Sequence, residues 1–69
     1  MAKLKNSVGK ERKLKQETQE TMAKNVGLSR VGLSNIETGG AEPNLNTALR
    51  IAKWLGKPVE KIFKLEDTE

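Results

Sequence analysis

The sequence has no cysteine, no histidine and no tyrosine, and Phe63 and Trp54 are its only aromatic residues. Without cysteine there is neither a disulfide nor a thiolate metal site, and without histidine there is no imidazole base and no zinc ligand set. No metal site and no cofactor is expected. No pair of carboxylates shares a helix face, so acid–base and nucleophilic constellations are missing too, and the chain does not read as an enzyme. The scarcity of aromatics removes the stacking platforms with which RNA-recognition sheets and single-strand grooves hold bases. No apolar run reaches the roughly 20 residues of a membrane span, and no apolar stretch follows the lysines of the first ten residues. Neither a membrane segment nor a signal peptide is expected, and the chain reads as cytoplasmic.

What is present is a mildly basic chain of 69 residues with net charge +4. That length leaves room for one domain, 1–69, in which only about 60% of the unfolded surface can be buried. The charge is unevenly placed. Residues 1–15 carry six cations against one anion, 16–36 are neutral, 37–50 sum to −1, 51–65 to +3, and Glu66, Asp67 and Glu69 form an acidic end. A polyanionic partner held by the middle of the chain must therefore be held mainly by polar side chains and a few well-placed cations.

The apolar spacing predicts five short helices and no paired strand, an all-α compact bundle with a core of about 4–63, a basic arm 1–5 and an acidic tail 64–69. Leu4, Val8, Glu11 and Leu14 mark one face of a first helix ending near Gln16. Thr18 reads as the N-cap of a second helix, about Gln19 to Asn25, with Met22, Ala23 and Val26 inward. Gly27 supplies a left-handed residue that ends it, and Leu28 plugs the turn. Ser29 caps a third helix over about Arg30 to Thr38, with Leu33 and Ile36 inward. Asn44 caps a fourth, about Leu45 to Leu55, whose stripe is Leu45, Ala48, Leu49, Ala52 and Leu55. Pro58 to Phe63 reads as a short fifth helix burying Val59, Ile62 and Phe63.

Between Thr18 and Glu37 stand two short helices, a tight turn with glycine, a small residue (Ala23) where the helices cross, and apolar inner faces. These are the requirements of a helix-turn-helix. Thr18-Gln19, Ala23, Gly27, Ser29, the Ile36-Glu37 pair followed by Gly39, then Pro43, and Ile51-Ala52 through Phe63 resemble, together and in register, the phage-repressor (Cro/CI-like, XRE) family. The resemblance covers about Val8 to Phe63. It implies a homodimer that sets the second motif helix in the major groove of double-stranded DNA, with half-sites about 34 Å apart.

Carried over position by position, the resemblance turns Arg30, Val31, Ser34 and Asn35 toward the base edges. Arg30 suits guanine O6 and N7, Val31 a thymine methyl, and Asn35 adenine N6 and N7. Gln19 matches the family glutamine that reaches a phosphate. Thr18 and Ser29 stand beside it, each also a cap, while Thr38, Gly40, Asn44 and Asn46 surround the loop that approaches the backbone in relatives. Arg12 and Glu37 match positions that form a largely buried salt bridge. The dimer contact of relatives falls on Trp54, Lys57, Pro58 and Val59, where an outward Trp54 either meets a second copy or folds back on its own domain.

The chain also departs from the family. Glu11 and Glu17 stand at usually apolar positions, and Leu14 is expected to compensate by turning the first helix inward. Gly32 sits inside the recognition helix at a cost of about 1 kcal/mol relative to alanine. The loop carries Glu42 in place of cations, leaving Lys3 and Lys5 as either a basic arm or a solubilising end. Two functions fit these features: a sequence-specific transcriptional regulator, most simply a repressor on a two-fold operator, or an antitoxin-type interaction module with secondary DNA binding. No small-molecule ligand is implied.

Overall fold

In the computed structural model the backbone is described for residues 2–67 and the side chains for 4–66. The order is β1 (Ala2–Asn6), α1 (Val8–Leu14), α2 (Gln19–Val26), α3 (Arg30–Glu37), α4 (Leu45–Leu55), α5 (Val59–Ile62) and β2 (Phe63–Asp67). Five helices thus form, but the fold is not all-α. The two ends of the chain pair as an antiparallel ribbon, with Leu4 opposite Leu65 and Asn6 opposite Phe63. The expected arm and tail are its two strands. Met1, Thr68 and Glu69 lie outside the described residues.

The ribbon corrects the first helix as well. That helix begins at Val8, not Leu4, because Asn6 and Ser7 are used to leave the strand. The Asn6 side chain accepts from Val8 N at 3.0 Å and donates to Ile36 O at 2.9 Å, and Ser7 N donates to Ile62 O at 2.9 Å. Leu14 does not turn inward; it is 67% exposed. Glu11 is instead the covered member of that face, paired with Lys57 at 2.7 Å.

The middle of the chain forms where the caps predict. Thr18, Ser29 and Asn44 each accept a backbone N–H three residues on, from Thr21, Gly32 and Thr47, so every long helix starts with a satisfied donor. Gly27 ends α2 in the left-handed region at φ 76°. The chain can then reverse within two residues and start α3 from Ser29. Ala23, buried in the crossing, lets the α2 and α3 backbones approach.

The core gathers Val8, Met22, Val26, Leu33, Ile36, Ile51, Ile62 and Phe63, with Leu4 of the ribbon packed against it. On α4 the inward stripe is Ala48, Ile51, Ala52 and Leu55, whereas Leu45 and Leu49 are 73% and 50% exposed. The expected stripe was rotated: at 3.6 residues per turn, Ala48, Ile51, Ala52 and Leu55 share one arc, and Leu45 and Leu49 fall at its edge. No helix among the described residues is long and apolar enough to cross a membrane.

This rotation can be measured. Ile51→Ala should lower unfolding free energy by about 2–5 kcal/mol, and Leu45→Ala should change it by no more than about 0.5 kcal/mol. Urea denaturation of both variants checks the order; equal losses would contradict the burial described.

Candidate nucleic-acid interface

The N-terminal part of α3 is displayed. Arg30, Val31 and Asn35 are exposed and Ser34 half-buried, while Leu33 and Ile36 hold the opposite side of the helix in the core. Val31 leaves 60% of its surface in water. A short helix with one buried and one polar, accessible side can enter a groove without unfolding its own support.

Behind it runs a chain of polar contacts. Arg12 Nε donates to Glu37 Oε2 at 2.8 Å and Arg12 Nη2 to Glu37 Oε1 at 3.2 Å, a two-pronged bond between α1 and the last residue of α3. Arg12 Nη1 donates to Glu17 O at 2.8 Å, fixing the turn before α2. Gln19 Nε2 donates to Glu37 Oε1 at 2.9 Å, and Gln19 Oε1 accepts from Arg30 Nη1 at 3.5 Å, the longest link. The first residue of α2 therefore stands between the charge pair and the first residue of α3.

The pair is shielded from water, with Arg12 and Glu37 side chains 11% and 8% exposed. Burial pushes the Glu37 carboxyl up. The hydrogen bonds from Arg12 and Gln19, with the charges of Arg12 and Lys13, outweigh it and hold the carboxyl below its usual range. The bond to Glu37 in turn holds the Arg12 guanidinium more firmly protonated.

The remaining expected contacts are placed as follows. Thr18 and Ser29 accept their cap bonds at the starts of α2 and α3. Thr38 folds its hydroxyl back on Ser34 O and Asn35 O, closing α3. Gly40 spends its N–H on Asn35 O at 2.8 Å. Asn44 caps α4, and Asn46 is exposed on the first turn of that helix. Trp54 is half-buried against the core with Lys15 Nζ 5.0 Å from its ring centroid, Lys57 is held by Glu11, Val59 is half-buried, and Pro58 is exposed. Sequence reasoning missed the link from Gln19 to Glu37 and the anchoring of Asn6 on Ile36 O. Both join residues far apart in sequence, and no periodicity marks them.

A capped helix, a glycine turn at φ 76° and a second helix with its polar side open define a helix-turn-helix DNA-binding domain. A family model described as helix-turn-helix matches residues 9–62. An uncharacterized HTH-type transcriptional regulator of Methanocaldococcus jannaschii is 42% identical over 66 residues, covering 96% of this chain and 100% of the relative. The chain belongs to the XRE-type helix-turn-helix family, a family of DNA-binding transcription regulators and not an enzyme class.

Because Glu37 is lowered in the folded state, its contribution to stability is complete above the unfolded-state value, about 4.3 for a free Glu. It is lost as pH falls through the lower folded value. Glu37→Gln should cost about 3–5 kcal/mol at neutral pH by stranding Arg12, and the variant should lose less additional stability on acidification than the parent. Denaturant midpoints of both proteins across the acid range test this; parallel acid losses would refute it.

Proposed function

We propose that this protein is a sequence-specific, double-stranded DNA-binding transcriptional regulator, a cytoplasmic repressor that occupies a two-fold operator as a homodimer. The observation that carries the reading is the presentation of Arg30. An exposed guanidinium begins the displayed helix, within 3.5 Å of a Gln19 amide that Glu37 and Arg12 hold in place.

In this reading Arg30 takes guanine O6 and N7, Val31 packs on a thymine methyl, Asn35 takes adenine N6 and N7, and the Ser34 hydroxyl can donate to or accept from a base edge. Gln19, with Thr18, Ser29, Thr38, Asn44 and Asn46, positions the domain on phosphates, the Thr18 and Thr38 hydroxyls first turning their protons away from Thr21 Oγ1 and Ser34 O. The loop contact assigned to Gly40 requires its N–H to leave Asn35 O, so the approach there is one of close fit more than donation. Repression needs nothing beyond occupancy of the operator. The two-fold follows from pairing across the α4–α5 turn, where Trp54, Lys57, Pro58 and Val59 would meet a second copy. The description of the archaeal relative as a transcriptional regulator supports the same reading.

Gel shifts against the DNA upstream of its own gene, with random duplex as competitor, test the function. Binding to the upstream region should be far tighter than to random duplex, with two chains per operator by native mass spectrometry. Equal affinity for all duplexes would refute sequence-specific regulation. Arg30→Ala should cost about 1–3 kcal/mol on the operator and relax one base position. Gln19→Ala should weaken all duplexes together and, because the amide is uncharged, leave the salt slope nearly unchanged; exchanged phenotypes would refute these roles.

A further inference from the structure

The helix-turn-helix does not account for the cations of α1. Lys10 and Lys13 stand three residues apart on one side of that helix, both exposed, and neither is ion-paired among the described residues. They flank an open groove of about 620 Å³ between α1 and the end of α3, lined also by Ser7, Gly9, Glu37 and Thr38. Two exposed lysines are ordinarily only a solvated surface. Three features of this groove distinguish it.

Its one anion is already spent: both Glu37 oxygens are taken by Arg12 and Gln19, so the free charge at its rim is positive. Its floor is bare of side chain at Gly9, where a Cβ would stand 3.2 Å from Glu37 Oε1. And Glu37 is a shared wall, with Gln19 hydrogen-bonded to it and Thr38, next in the chain, lining the groove. The groove is thus continuous with the α2–α3 end at which Gln19 and Thr38 are assigned to phosphates, while the reading segment itself is electrically neutral.

We propose that this groove is a second phosphate-binding surface, in which Lys10 and Lys13 take consecutive phosphates of the DNA strand that Gln19 and Thr38 engage. The assignment rests on the DNA-binding reading above and adds a sequence-independent part to it, supplied by α1. It also gives the basic first fifteen residues a partner. Lysine suits this use because it meets phosphate as a point charge and needs no fixed plane.

The test needs no knowledge of the operator. Binding of the full-length protein to a random duplex is followed by fluorescence anisotropy over a range of NaCl. Removing two phosphate contacts should make the slope of log affinity against log salt shallower by about 1.8 in K10Q/K13Q. K24Q/K53Q removes the same charge from α2 and α4, outside the groove, and should keep the wild-type slope within about half that change. Circular dichroism confirms that both variants stay folded. A K10Q/K13Q slope equal to wild type, or equal shifts in the two variants, overturns the groove while leaving DNA binding intact. Failure of the wild-type protein to bind any duplex overturns the DNA-binding reading itself.

Discussion

The carboxylate of Glu37, almost closed off from water, is held by Arg12 with two bonds and by Gln19 with a third. Three helices meet at this group: α1 through Arg12, α2 through Gln19, and α3 through Glu37 itself. A buried ion pair contributes little net free energy, since desolvation offsets its Coulomb attraction. Its effect here is geometric. The fork of Arg12 accepts one orientation of the carboxylate, the third bond fixes the Gln19 amide, and the Gln19 oxygen is left facing Arg30. The domain has little core to spare, so a directional contact sets the α2–α3 arrangement more sharply than additional apolar area would.

Around that contact the rest of the chain acts as closure. The ribbon joins residues about sixty positions apart, and the entropy of closing so long a loop rises only logarithmically with its length. Its return is local: Leu4 and Phe63 cover one end of the core, and Lys5 meets Glu66 at 2.7 Å on the outer face. Asn6 and Ser7 carry the constraint inward by bonding Ile36 and Ile62, so the termini hold the C-terminal end of α3. An isolated two-stranded ribbon is marginal in water; this one is anchored at its helix-proximal end, where Leu4, Asn6 and Phe63 meet the core, while Leu65 stays 75% exposed.

The parts legible in the sequence are those whose causes are local. Thr18, Ser29 and Asn44 announce helix starts because each needs only an amide three residues on, and Gly27 announces a turn because its φ is costly for other residues. Arg12 and Glu37 could be paired through family resemblance. Harder to read were features decided by distant partners. The Lys-Leu-Lys-Asn and Phe-Lys-Leu-Glu segments become strands only because each finds the other, and alone each is too short to exceed the helical pattern that follows or precedes it. Ile51 displaces Leu45 from the core because α4 rotates to meet α1 and α5, a choice that several apolar residues on one helix leave open. Leu14 stays wet and Glu11 is covered because Lys57 reaches α1 from the α4–α5 turn.

The charge distribution follows from the same division of labour. A helix that must discriminate base edges gains little from a dense cationic face, because phosphate attraction is nearly the same for every sequence and raises wrong binding along with right. Here α3 carries one cation, Arg30, and of the α1 cations Arg12 is engaged with Glu37 while Lys10 and Lys13 stand on the other side of it. Glu37 lies between Arg30 and those lysines, and with its charge matched by the two-pronged bond from Arg12 and a third bond from Gln19, it is left with little to offer Arg30. The net charge of +4 therefore belongs to the frame of the domain and not to the exposed side of α3. Its field reaches about 8–10 Å at ordinary ionic strength, a sequence-independent attraction for a duplex.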